Sequence, residues 1–277
     1  MDLKLGKLPV VTDDRTIKLK SILRPKYLPE LPVVYDNHEV FGVEDDFMFA
    51  NDQYGDCVIA ARGHQTLVFE AFEQEKQIDI TDQEVVDEYF DQTGGADSGL
   101  VLLFSLQDWR NDGWEVGDKV YTIYAFASVD WKDHAEVKHC IHLLGGVNFG
   151  MSVYESDMAQ FKAGEMWDLT GIDGSKLGGH GVYLHAYSYD SEGITCMTWG
   201  KPQKMTWAFW DARVDEAYGI VDNRNDWMIE DSPVDVVKLD GYLQEITEGR
   251  GENSGCVFPF FAPVKKIIRY ILKGLGW

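Results

Sequence analysis

Two residues of this chain, Cys57 and His180, have local settings suited to nucleophilic chemistry. A cysteine attacks as its thiolate, and a helix N-terminus favours that form through unpaired N–H groups and the macrodipole. Cys57 follows the polar segment Asn51-Asp52-Gln53-Tyr54-Gly55-Asp56 and precedes Val58, Ile59, Ala60 and Ala61, then Leu67, Val68, Phe69 and Phe72, an apolar face at helical spacing. Gly55 and Asp56 supply a turn and an N-cap. The plainer reading of a lone intracellular cysteine is a small buried hydrophobe, and the neighbouring Asp56 carboxylate opposes a thiolate. A base should then come from elsewhere in the chain, at the start of a strand. His180 in Gly178-Gly179-His180-Gly181-Val182 fits, because its glycines let backbones approach closely and a β-branched run follows.

The elements that would position these residues can be read in order. Pro9, Pro25, Pro29 and Pro32 prevent a long helix in residues 1–50, which reads as an extended arm lying on a core. Helices are predicted from Cys57, from the capping box Thr81-Asp82-Gln83-Glu84, and over Leu100 to Trp109. Strands are predicted at Tyr121–Phe126, Val147–Val153, Val182–Tyr189 and Ile194–Trp199, and further helices over Met205–Tyr218 and Val234–Ile246. Helices followed by an antiparallel sheet make an α+β protein with a cleft between a helical half, about 51–115, and a sheet half, about 116–255. Residues 256–277 read as a cationic amphipathic tail, with Lys265, Lys266, Arg269 and Lys273 opposite Ile267, Ile268, Ile271, Leu272 and Leu275. Its first reading is docking on its own acidic body; a protein partner or a membrane surface is the second.

Bulk properties exclude some functions. The chain has 277 residues, 45% of them hydrophobic, enough for a substantial core. With 47 acidic against 25 basic residues, its net charge of −22 repels phosphate, so nucleic acid is not expected as a partner. Cys57, Cys140, Cys196 and Cys256 form no CxxC pair, so free thiols are expected and no disulfide framework. His134, His139, Cys140 and His142 make no clear metal set, His64 reads as a core or surface histidine, and His185 is turned to the face opposite His180. No signal peptide or membrane-spanning run is recognised, so the expected location is cytoplasmic, or a virion if phage-encoded.

Taken in order, the motifs resemble those of the papain-like cysteine peptidases. Asn51 to Cys57 is similar to the family's Gln-x-x-x-Gly-x-Cys entry, and Thr81 to Asp87 to its Ser-Glu-Gln-Glu-Leu-Val-Asp segment. Gly145 to Met151, Phe161 to Gly164, Gly179-His180-Gly181-Val182 with Tyr187 to Asp190, and Thr198-Trp199-Gly200 resemble its later strands and turns. The chain also looks like an uncharacterised group of bacterial and phage proteins. The resemblance implies Cys57 as nucleophile and His180 as general base. It also implies an oxyanion hole from the Cys57 N–H with Asn51, or alternatively Gln53. No metal or cofactor is implied, and the substrate would be a peptide or protein. Met197 falls where the family has the Asn that orients the histidine, and Met accepts no N–H. Thr198 is adjacent as a substitute, although strand alternation turns it to the other face. The implied function is a cysteine peptidase or amidase; the competing one is a catalytically silent papain-fold structural or binding protein, such as a virion component.

Overall fold

The structure is a computed structural model and describes residues 3–188, 193–222 and 232–252; the basic tail 256–277 lies outside them. The chain divides into two compact units, Met1–Val236 and Val237–Trp277.

The N-terminal stretch carries only short elements: α1 (Leu19–Ile22), β1 (Val34–Asp36) and α2 (Asn37–Phe41). Three longer helices follow: α3 (Cys57–Gln74), α4 (Asp82–Thr93) and α5 (Leu102–Asn111). The Thr81–Glu84 capping box forms as the sequence predicts, with Thr81 and Glu84 each satisfying a free N–H of the other. Every residue of α3 from Cys57 to Ala71 is buried, which makes it the central helix. Its buried polar side chains find partners, Arg62 with Glu88 and Ser105, His64 with Asp45, and the Gln65 carbonyl with the Asn148 amide, although the Gln65 Nε2 has none.

The remaining elements of the first unit are β2 (Trp114–Val116), β3 (Lys119–Tyr121), β4 (Ile123–Ser128), α6 (His134–Leu144), β5 (Val147–Tyr154), α7 (Glu155–Ala163), β6 (Lys176–Ser188), β7 (Ile194–Thr198), β8 (Lys201–Met205), α8 (Trp207–Arg213) and β9 (Val214–Asp222). β2 and β3 form a hairpin. The other strands form one antiparallel sheet in the order β4-β9-β5-β6-β7-β8, with β1 added on β6. The second unit contributes α9 (Val236–Glu252), starting close to the predicted Val234.

Three stretches differ from their sequence reading: β6 begins at Lys176 and not Val182, so His180 lies inside the strand and not at its start; Tyr121 and Ile123 fall in separate strands, β3 and β4; and the helix read over Met205–Tyr218 is broken. Met205–Tyr218 is not a continuous helix: Met205 ends β8, Thr206 caps the short α8, and Val214 onwards is strand. β9 runs between β4 and β5 with both faces covered, so nearly all its residues are buried. A strand buried on both faces loses the alternation that identifies strands in sequence.

Candidate active site

The loop before α3 is tightly wound. Phe49 and Ala50 both take positive φ, 52° and 61°, which costs about 1–2 kcal/mol per non-glycine residue. Asn51, Gln53 and Tyr54 close turns back to Met48 and Ala50. The Asn51 amide donates to Tyr54 O at 3.1 Å and Asp56 Oδ1 at 2.9 Å, tying the loop to the helix start. Asp56 occupies the N-cap position but makes no side-chain cap hydrogen bond, contrary to the sequence expectation. Burial pushes its carboxyl up to about 8, and where it is ionised it adds to the rise of the neighbouring Cys57 thiol.

Cys57 is the first residue of α3, and its N–H has no intrahelical partner. Its sulfur accepts the Gly181 N–H at 3.3 Å, which brings the helical and sheet halves together one residue from His180. His180 lies in β6 opposite Met151 on β5, four residues into the strand. The His180 Nε2 is 2.6 Å from Thr198 Oγ1, and its ring stacks on Trp199 at 4.0 Å and 14°. No hydrogen bond joins the sulfur to the imidazole; Nδ1 is buried without a partner.

The cross-strand register explains why Thr198, and not Met197, meets the ring. Leu184 pairs with Cys196 and Tyr183 with Met197. Directly opposed residues share a face, and strand residues alternate. Residues 180, 182, 184, 196 and 198 therefore lie on one face, while Met197 is buried on the other beside Tyr183. The oxyanion candidates are separated: both Asn51 donors are used within the loop, and Gln53 is exposed.

The N-terminal arm is threaded across the sulfur. Lys4 N–H donates to Asn51 O, Leu100 N–H to Gly6 O, Leu8 N–H to Leu100 O and Lys7 N–H to Gly179 O. The Trp199 indole donates to Lys4 O at 3.1 Å. The slot is lined by backbone that tolerates no side chain: a Cβ on Gly6 would lie 1.7 Å from Gly55 O, and one on Gly179 2.3 Å from Lys7 O. Burial raises the Cys57 thiol to about 11, opposed by the N–H groups of Gly181, Gly6 and Lys7. Burial also holds the His180 imidazolium down to about 3. Thiolate and imidazolium are both disfavoured in this covered state.

The remaining histidines are engaged elsewhere. His134 pairs with Asp211, His139 meets Ala135 O, and Cys140 donates to Gly146 O, so they do not converge. His38 stacks on His185 at 3.9 Å and 8°, and His185 Nδ1 meets Asp36 Oδ1 at 2.9 Å. Asp36, His38 and His185 each offer a ligand atom within 4.8 Å of the others. Parallel rings direct their in-plane lone pairs side by side instead of onto one point, and no metal is assigned to them.

Comparison with protein-family models and with curated proteins finds no match. Solved structures do match. Xylellain, a cysteine protease from Xylella fastidiosa, aligns over 80% of this chain and 97% of its own, with TM-score 0.62 and 16% identity. A procathepsin B from Trypanosoma congolense aligns over 80% and 87%, with TM-score 0.57 and 12% identity. The fold is papain-like. The ragweed allergen Amb a 11, a cysteine protease in its proform, shares this fold over 83% of this chain and 68% of its own, with TM-score 0.54 and 14% identity. Within this fold Cys57 opens α3 and His180 lies on β6, and the Gly181 N–H on the Cys57 sulfur joins the two elements. Where the arm runs is not evident from its own residues. The available signal is Gly6-Lys7, a glycine and a cation, whose significance depends on residues remote in the chain: Gly55 for Gly6, and Gly150, Gly179, Asp215 and Glu216 for Lys7.

Proposed function

We propose that this chain is a papain-like cysteine peptidase or amidase held latent by its own N-terminal arm. The observation that carries the reading is Cys57 at the N-terminus of a buried helix, with the N–H of His180's neighbour on its sulfur. With the arm withdrawn, water and substrate reach the cleft, and the desolvation that separates the Cys57 and His180 proton affinities falls. His180 Nδ1, the nitrogen left unused by Thr198, then takes the thiol proton. The sulfur attacks the scissile carbonyl carbon, the Cys57 N–H supports the oxyanion, and His180 returns the proton to the leaving amine. Water hydrolyses the thioester in a second step. Gln53 replaces Asn51 as the side-chain donor to be tested, since both Asn51 donors are already committed.

A silent scaffold is favoured by one observation: the sulfur and the imidazole share no hydrogen bond. Hydrolysis of a peptide library by the Gly6→Ala chain, whose arm cannot seat against Gly55, separates the two. Cleavage that disappears with Cys57→Ala supports the peptidase. No cleavage, with the arm demonstrably released, leaves the silent scaffold.

A further inference from the structure

Lys7 is the most unusual residue of the arm. Its side chain is 1% exposed, and lysine is rarely buried so fully without a partner. The ammonium lies 2.8 Å from Asp215 Oδ1 and 2.9 Å from Glu216 Oε1. The Glu216 side chain is 4% exposed and accepts the Tyr218 hydroxyl on its other oxygen at 3.1 Å, which aims the carboxylate. The stem of Lys7 passes Gly150, where a Cβ would lie 2.0 Å from its Cε. The slot is thus a narrow channel, walled by glycine and closed by two carboxylates on β9.

Its position gives the slot a role beyond anchoring the arm. The Lys7 N–H donates to Gly179 O, next to His180, and Gly181, on the other side of His180, donates its N–H to the Cys57 sulfur. The slot therefore opens within one residue of the reacting centre. When the arm leaves, Lys7 leaves with it, and the Asp215 and Glu216 carboxylates lose the cation they share. A buried carboxylate in that state strongly favours a new positive partner, and the glycine walls admit an unbranched stem.

The geometry points to a specificity subsite: the slot closed by Asp215 and Glu216 selects a lysine or arginine side chain of a peptide substrate, and Lys7 is its intramolecular stand-in. The inference rests on the reading of Cys57 as a peptidase nucleophile only for the cleavage that follows binding. The net charge of −22 acts in the same direction, since it attracts basic peptides at long range. The alternative is that Lys7 only fixes the arm.

The test uses the full chain carrying Lys7→Ala, to remove the arm's charge, and Cys57→Ala, to prevent turnover. Labelled peptides of the sequence 3–10, with Lys, Arg, norleucine or Glu at the position of Lys7, are titrated by fluorescence anisotropy. Lys and Arg peptides are expected to bind at least about tenfold tighter than norleucine, as charge-assisted hydrogen bonds imply. Glu216→Gln should abolish the preference. The partly exposed Asp215→Asn, a milder change should Glu216→Gln misfold, should weaken it. Equal binding of all four peptides overturns the subsite. So does no binding at all, because an arm without its charge that still excludes the charged peptide was not held by the slot. With Cys57 restored, charge-selective binding without cleavage would sink the peptidase reading and leave the subsite standing; cleavage without preference for a basic residue would do the reverse.

Discussion

Two imidazoles stand five residues apart on β6, both buried, and the chain treats them differently. His185 is gripped by a carboxylate, Asp36, and stacks on a second imidazole, His38. His180 has only the Thr198 hydroxyl and the face of Trp199. A carboxylate partner fixes the orientation of a ring and clamps β1 and α2 to the sheet. A hydroxyl fixes orientation alone, so the proton affinity of His180 follows how much water reaches it. The difference separates a structural histidine from one that can change state when a cover is removed.

The strongest way to break this comparison is to remove each ring in turn in the Gly6→Ala chain. His180→Ala should lower kcat/KM by about 10²–10⁴, the usual weight of a general base. His185→Ala should leave kcat/KM within a few-fold and lower stability by about 1–3 kcal/mol, through loss of the Asp36 hydrogen bond and the stacked ring. A loss of activity with His185→Ala at unchanged stability would remove the distinction. Thr198→Val gives a finer cut: kcat should fall about tenfold with KM unchanged, and Thr198→Ser should restore it, since only the hydroxyl is required. Equal effects of Val and Ser would mean that the methyl group matters more than the hydroxyl.

The smallest expected effect is on the acid side of the stability profile. Burial and the neighbouring His185 hold His38 down to about 3, and burial holds His180 to about 3. An unfolded histidine titrates near 6.5. Since the folded values are the lower ones, the stability from these rings is fully present above about pH 6.5 and is lost as pH falls towards 3. Urea midpoints should fall from pH 7 to pH 5 to pH 4, and His38→Asn should flatten the slope by its share. A slope unchanged by His38→Asn would show that His38 does not titrate as described.

Much of the frame was legible in the sequence because its signals are local. The Thr81–Glu84 capping box, the apolar spacing after Cys57 and the β-branched runs at Val147 and Ile194 each depend on neighbours within a few residues. What was not legible depends on register and on long-range threading. Thr198 faces His180 because Leu184 pairs with Cys196, a pairing that the spacing of Trp199 from a motif does not contain. Asn51 resembles an oxyanion donor by position, yet its donors close a loop wound through two positive φ residues. Nothing local to Lys7 marks its role, which depends on β9 bringing Asp215 and Glu216 to it.

The most direct measurement is the alkylation rate of Cys57 by iodoacetamide across pH, located by peptide mass mapping, in the native chain and in Gly6→Ala. The native chain should label Cys57 at least about 100-fold more slowly than free cysteine at neutral pH, because the thiol is raised to about 11 beneath the arm. Gly6→Ala, whose added Cβ would lie 1.7 Å from Gly55 O, should expel the arm and restore fast labelling. Rapid labelling of the native chain, or the same slow rate in both with the variant folded, would contradict a nucleophile kept covered by its own arm.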